Sequence, residues 1–325
     1  MRILSSILVL CSLLFMISCN PSKKELAQST EIAETDSSLV AKIKLVNMDE
    51  AFTKATQLSC LDARQDTLYS VSEECGKLLR FGIKNDSLRS LGSTDLKAAF
   101  STDKLDLEAV ALYKNYAFIT DEGYKSGFFK SYNKIRAIDL YEQKEVMVEM
   151  PKELEKLEGE SKGFEGMEAY ESKGLLYVMR EKEGDGKPSI LYTLKITTAE
   201  DKLKLSLLST LKIKHSSSSK RCPALALSPD HKFLYILRVK YGSYFIDRLE
   251  LDAEGMLPQG EINAQEVSLI NMSKSAQELD AQNYSTNIEG LVALDSSLLI
   301  ISDNGGKNCD EAAENKTLLG RIVLD

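Results

Sequence analysis

Hydrophobic and polar positions alternate along this chain in short paired runs, and the pairs recur. Each pair is an alternating apolar strand, a short polar turn, and a second apolar strand ending in charged or amide residues. The first strands are Leu58–Cys60, Leu107–Leu112, Phe164–Tyr170, Arg221–Leu227 and Ile288–Leu294. Their partners are Leu68–Glu74, Ala117–Glu122, Leu176–Glu181, Leu234–Arg238 and Leu299–Asn304. A period of two marks a half-buried strand, and recurrence of one hairpin marks a repeat architecture. With Ser59, Glu108, Glu165, Cys222 and Glu289 taken as equivalent, the repeats lie roughly 50 to 70 residues apart, the length of a four-stranded propeller blade. Runs such as Lys134–Leu140 with Glu145–Met150, and Ile190–Ile196 with Leu203–Ile213, supply further strands. The expected fold is all-β, a single β-propeller of five blades, or six if the long 222–289 interval holds another. A two-sheet sandwich also has short alternating strands, but nothing in it requires one hairpin to recur. After Asn304 only Thr317–Leu324 remains, one strand short of a blade. The segment Leu39–Val46 (LVAKIKLV) is available to complete it, closing the ring and covering an edge.

The N-terminus has a different pattern. Arg2 precedes an almost unbroken apolar run from Ile3 to Ile17, followed by Ser18-Cys19. This is the layout of a secretory signal, too short and too abruptly ended for a spanning helix. Met16-Ile17-Ser18-Cys19 resembles the lipobox of bacterial lipoproteins, with Met16 where leucine is usual; that resemblance implies a lipidated Cys19. Residues 20–38 are polar and lack aromatics, as a flexible tether does. The expected organisation is a signal peptide over 1–19, a tether over 20–38 and a propeller over 39–325. The expected place is the bacterial cell envelope, with membrane contact through the lipid anchor only and a monomeric chain.

Composition narrows the chemistry. A net charge of −8 and no basic stripe exclude nucleic acid as the expected partner. Two histidines, His215 and His231, leave no HExxH zinc site and no Ser-His-Asp set. Beyond Cys19 four cysteines remain, Cys60, Cys75, Cys222 and Cys309, an even number that in an oxidising compartment points to disulfides with three conceivable pairings.

Blade geometry makes the acids informative. The start of a first strand and the end of a second lie on the same face, so Glu108, Glu165 and Glu289 aim at the axis. Ser59 and Cys222 hold the equivalent places. The second-strand ends add Glu73, Glu74, Asp121, Glu122, Arg180, Glu181, Arg238, Asp303 and Asn304 around the same opening. Inward carboxylates at one depth repel unless a cation sits among them. Their oxygens suit a hard ion with a large, flexible shell, hence Ca2+ rather than zinc or copper. The competing role is structural, each glutamate bonding backbone N–H groups of the next blade. Gly166 and Gly290, directly after two of the glutamates, serve a close approach or a tight turn.

Three stretches carry a resemblance to the phytase-like family: DLEAVAL with ITDEG (106–112, 119–123), KGFEGMEAYESKGLLYVMREK (162–182) and NIEGLVALDSSLLIISDNGG (287–306). They follow the family's order over most of the chain, departing at Ala109, where glycine is usual, and in the fourth repeat. The resemblance implies a secreted or lipid-anchored propeller with esterase-like activity. The axial set Ser59, Glu108, Glu165, Cys222 and Glu289 also resembles that of calcium-activated apyrases, which carry serines and glutamates around a central Ca2+. Cysteine at 222 is the departure, and a disulfide would occupy it. Cys222 with Cys309, and Cys60 with Cys75, are the expected pairs.

The function expected from these residues is Ca2+-dependent hydrolysis of a small phosphoester. Ser59, Glu108, Glu165 and Glu289 would hold the metal, and Glu122 or Asp303 would accept a proton. Arg180, Arg238 or Lys307, with Lys220 and Arg221 nearby, would neutralise the phosphate. Two alternatives stand beside it: a non-catalytic ligand- or protein-binding propeller stabilised by Ca2+, and a lactonase or carboxylesterase propeller. Fold alone does not choose among them.

Overall fold

The computed structural model describes residues 38–48, 57–73, 75–84, 87–122, 134–155, 163–180, 187–199, 202–215, 221–240, 242–305 and 315–324. Cys19, the leader and nearly all of the tether lie outside them, as do Glu74, Glu181, Lys220, Lys307 and Cys309. The chain from Asp36 to Asp325 gathers its contacts into one compact unit.

The described chain opens with three two-residue strands, β1 (Leu39–Val40), β2 (Lys44–Leu45) and β3 (Asn47–Met48). An antiparallel meander follows, β4 (Leu58–Arg64), β5 (Thr67–Ser72), β6 (Lys77–Lys84) and β7 (Ser87–Asp95). The second is β8 (Leu107–Tyr113), β9 (Tyr116–Asp121), β10 (Lys134–Asp139) and β11 (Lys144–Glu149). The third is β12 (Phe164–Tyr170), β13 (Leu175–Arg180), β14 (Ser189–Ala199) and β15 (Lys202–Lys214), joined to the second by parallel pairing of β11 with β15. The fourth holds β16 (Arg221–Leu227), β17 (Phe233–Lys240) and β18 (Ser243–Glu250). Next, β19 (Gly260–Asn263) leaves to pair with β15, and β20 (Ser268–Asn271) completes the fourth sheet. The last contains β21 (Asn287–Leu294), β22 (Ser297–Asp303) and β23 (Leu319–Val323).

Two-residue turns join the first two strands of three meanders, and Gln65, Lys114 and Asp295 open them with positive φ. That hand of turn matches the right-handed twist of the strands it connects. The apolar faces then stack from one meander to the next. Val71 and Leu78 pack with Val110 and Phe118, which share a core with Leu176 and Val178. Tyr177 and Met179 meet Leu225 and Ile236, and Leu237 and Ile246 meet Leu291 and Ile300. The ring closes where Val292, Leu299 and Ile301 pack on Leu58, Leu68 and Phe81. A sandwich has no such cyclic order; the architecture is a β-propeller.

Closure by the N-terminal segment is observed, in a more divided form than one strand. β2 pairs antiparallel with β23 and completes the last meander, as expected. β1 runs parallel to β20 of the fourth, and β3 parallel to β7 of the first. The segment therefore straps three outer edges together, and each edge gains a short protecting strand.

Gly166 and Gly290 serve close approach between innermost strands. A Cβ on Gly290 would lie 2.3 Å from Ile301 Cγ2 and 2.7 Å from the carbonyl carbon of Cys60. On Gly166 it would lie 3.1 Å from Ala224 Cα. Gly290→Ala must therefore move backbone of the first meander, and the expected cost is about 1–3 kcal/mol in urea unfolding. Gly82→Ala, whose Cβ would make an ordinary 3.5 Å contact with Leu91, is the neutral comparison.

Candidate acidic cation site

Each of the five innermost strands breaks register near the position the sequence singled out. The breaks fall between Ser59 and Asp62, Leu107 and Val110, Phe164 and Gly166, Arg221 and Ala224, and Ile288 and Gly290. A bulge bends the strand and re-aims its side chains. Here it recurs around the ring and draws the flanking polar residues towards one mouth of the channel.

The result is a dense carboxylate cluster. One oxygen each of Glu73, Asp106 and Glu108 lie within 4.8 Å of one another, and so do oxygens of Glu73, Glu289 and Asp303. Glu73 belongs to both groups, and either could hold a metal ion. Burial, together with the charges of Glu165, Glu73, Glu289 and Glu122, holds the Glu108 carboxyl well above its ordinary range. Burial and the Glu289 charge push Glu73 up to about 9. Asp303 is also raised, mainly by burial, although it accepts the Gly305 N–H at 2.9 Å and faces Asn287 Nδ2 at 3.3 Å.

Ser59 shows how the acids manage their proximity. Its hydroxyl lies 2.6 Å from Glu73 Oε1 and 3.1 Å from Glu289 Oε2. One hydroxyl has one proton and cannot donate to both. A protonated Glu73 resolves this by donating to Ser59 while Ser59 donates to Glu289, in keeping with the raised Glu73 carboxyl.

Ser59, Glu108, Glu165 and Glu289 are thus brought together, and the fifth place differs from expectation. Cys222 is fully buried in the core between the third and fourth meanders. The preceding residue, Arg221, faces the acids instead. Its Nη2 donates to Glu289 Oε1 at 2.8 Å and to Asn287 Oδ1 at 2.8 Å, and its Nη1 lies 3.6 Å from Glu165 Oε2. A guanidinium therefore stands where the sequence placed a cysteine.

Of the residues assigned to chemistry, Asp303 and Glu122 lie at this mouth. The Glu122 carboxylate accepts the Gly163 N–H, and its own N–H donates to Asp106 O at 2.8 Å. Arg238 requires correction. It is 1 % exposed, donates through Nε and Nη2 to Asp247 at 2.7 and 2.9 Å, and stacks on Phe245. A guanidinium sealed in this way is not presented to a substrate phosphate. Arg180, 3 % exposed at the end of β13, is buried as well.

The disulfide expectations also change. Cys60 and Cys222 take part in no disulfide, and each lies inside the packed core between neighbouring meanders. Burial drives the Cys60 thiol far above its usual range. Neither expected pairing, Cys60 with Cys75 or Cys222 with Cys309, forms, because Cys60 and Cys222 hold no disulfide; Cys75 is disulfide-bonded, and Cys309 lies outside the described residues.

Sequence reasoning missed Asp106, although a signal was there: it sits two residues before Glu108, and positions two apart share a strand face. It also missed two deeper acids. Asp62 accepts the N–H groups of Ala63 and Leu112, each at 2.5 Å, and burial pushes it up to about 7. Glu168 accepts from Ala169 and Leu227, and burial with the Asp62 charge holds it well above its ordinary range. Each acid bridges its own strand to the innermost strand of the next meander. Asp62 and Glu168 thus act as the structural clasps that the sequence also allowed for the axial glutamates.

The model of the phytase-like family, described as esterase-like activity of phytase, matches residues 29–306. No curated protein matches the sequence. Among solved structures, the glutaminyl cyclase of Myxococcus xanthus is similar at 12 % identity and a TM-score of 0.47, over 89 % of this chain and 100 % of that one. The PQQ-bound aldose sugar dehydrogenase of Streptomyces coelicolor is similar at 10 % identity and 0.42, over 87 % and 98 %.

Proposed function

The chain belongs to the phytase-like family, and from that premise we propose that it is an exported, lipid-anchored hydrolase of small phosphoesters working at a Ca2+ site on the propeller axis. In this reading residues 1–19 are the signal, Cys19 carries the lipid, 20–38 are the tether, and the chain from 39 onward works as a monomer in the cell envelope. One observation carries the metal assignment: Glu73 is shared by two groups of three carboxylates at one mouth. The donors are all oxygen, which fits Ca2+ and disfavours softer ions. Glu73, Asp106, Glu108, Glu289 and Asp303 would hold it, with Ser59 and Glu165 alongside. Bound there, calcium supplies Lewis acidity towards a phosphoryl oxygen.

The protein's own groups do the rest. Arg221 orients an anionic oxygen by its planar fork, sharing donors now directed at Glu289 and Glu165. Glu122, which lies beside Asp106 and outside both carboxylate groups, accepts a proton from attacking water; Asp303, whose carboxyl burial raises, is the second candidate, through the oxygen it does not lend to the metal. The positive charge that Arg221 brings is small beside so many acids and suits a small phosphoester better than a highly charged one.

Burial of Arg180 and the Arg238–Asp247 pair favours a second reading, a calcium-stabilised propeller that binds without turnover. An assay of the chain from Asp36 onward separates the two. Phosphomonoesters, phosphodiesters, nucleotides, phytate and lactones are each tested with calcium, with chelator, and with Glu108→Gln plus Glu289→Gln. Calcium-dependent phosphate release lost in the double variant is the expected result. Turnover of lactones alone would reassign the site to carboxylic esters. No turnover, with calcium still raising the melting temperature, would establish the binding propeller.

A further inference from the structure

A second site lies on the rim, lined by elements remote from the axial acids. A cleft of about 570 Å3 opens where β1 and β2 cross the outer strands of the fourth and last meanders. Lys42, Lys44, Arg248 and Arg321 line it, and none of the described lining residues is acidic. In a chain of net charge −8 this is a local reversal of sign. Lys44 and Arg321 are moreover directly opposite each other in the β2–β23 pair. That register sets two positive side chains next to each other on the cleft wall.

The rim beside these cations is apolar and open. Leu39 is 63 % exposed, Val40 77 % and Val323 56 %, and all three line the same cleft. Two of them begin the first described strand, at the end of the polar segment that leads from Cys19. Nineteen residues reach at most about 65 Å, so on the lipid-anchored reading proposed above this edge stays within that reach of a bilayer. A basic cluster edged by exposed aliphatic side chains has the chemistry of a membrane-surface contact, cations to headgroup phosphates and apolar tips into the acyl boundary.

We propose that this cleft binds the anionic headgroup of a membrane phospholipid, so that the propeller body docks edge-on to the bilayer in addition to any lipid anchor. The docking uses Lys42, Lys44, Arg248 and Arg321 for the phosphate and Leu39, Val40 and Val323 for the boundary. It is independent of calcium and of hydrolysis at the axial site.

The test uses the chain from Asp36 onward, which lacks Cys19 and forms a compact unit, so lipidation cannot contribute. Co-sedimentation is expected with phosphatidylcholine vesicles containing phosphatidylglycerol, and not with phosphatidylcholine alone. Added salt weakens it, because exposed charges are screened. Lys42→Glu with Arg248→Glu lowers the vesicle affinity at least about tenfold while the melting temperature stays within a few degrees. Leu39→Ser with Val40→Ser also lowers it and leaves the salt dependence in place. Should the charge-reversed pair unfold, Lys42→Gln on the exposed strap gives the same comparison with a smaller loss. Equal binding to both vesicle types, binding untouched by the charge variants, or no binding at all would overturn the proposal. Stabilisation by inorganic phosphate without vesicle binding would overturn it too, and make the cleft a site for a soluble anion.

Discussion

Asp247→Ala is expected to destabilise the protein by about 3–5 kcal/mol, because it removes the carboxylate that pairs with the Arg238 guanidinium in a site 1 % exposed. Asp247 supplies two charge-assisted hydrogen bonds to that group, at 2.7 and 2.9 Å. Ser268 Oγ at 3.3 Å and the Phe245 face are weaker partners and do not neutralise it. Urea unfolding with a tryptophan-free chain calls for circular dichroism or tyrosine fluorescence as the signal. The double variant Asp247→Leu with Arg238→Met should recover most of the loss, since a buried pair replaced by apolar side chains of similar size is often neutral. The coupling between the two positions then measures the pair directly. The same double variant bears on function. A structural Arg238 predicts an unchanged calcium response at the axial mouth. A calcium response or a substrate turnover lost together with the guanidinium, in a protein that still melts normally, would return Arg238 to the site.

Arg238 also illustrates what a sequence can and cannot reveal here. A charged residue ending an apolar strand reads as part of a ring, and Asp303 does meet Glu73 and Glu289. The partner of Arg238 lies one strand away on β18, diagonal to it in a register that pairs Arg238 with Phe245 and Ile236 with Asp247. No spacing in the chain announces that diagonal. The propeller itself was legible because each meander buries both faces against its neighbours, which imposes the same alternation on every repeat. The strap of β1, β2 and β3 was only half legible. Two-residue strands carry almost no pattern, and the edges they meet are decided by the assembled ring.

The substitution of Arg221 for Cys222 at the axial place has a simpler cause. A bulge changes which of two consecutive residues faces the axis, so alignment by sequence alone is uncertain by one position where the register breaks. The same break explains Cys60, which takes a positive φ of 62° and turns its thiol into the core beside Ser59. Parity of cysteines could not have shown this. Asp106, by contrast, was available from the Asp-Leu-Glu spacing at 106–108.

The largest effect at the axial site should appear as a pH dependence of calcium binding. Glu73 titrates near 9 in the folded chain, against an ordinary value of 4.5, and Glu108 lies well above that same ordinary value. An acid raised by folding stabilises the fold below its ordinary range, and that contribution is lost as pH rises through the folded value. In chelator the melting temperature should therefore fall as pH climbs from about 5 to 9. Calcium binds the ionised carboxylates, so its affinity should rise over the same window, up to roughly tenfold per pH unit for each proton released. Isothermal titration at several pH values, in buffers of matched ionic strength, measures that slope. Glu73→Gln should flatten it and weaken binding by on the order of a hundredfold, because one residue leaves both carboxylate groups. Asp62 supplies the internal control. Raised to about 7 by burial and lying outside both groups, it also destabilises the fold as pH rises. Calcium should not offset that earlier step. A calcium affinity that does not change with pH would mean that the ion, if it binds, bypasses Glu73, and would remove the central support for a metal on this axis.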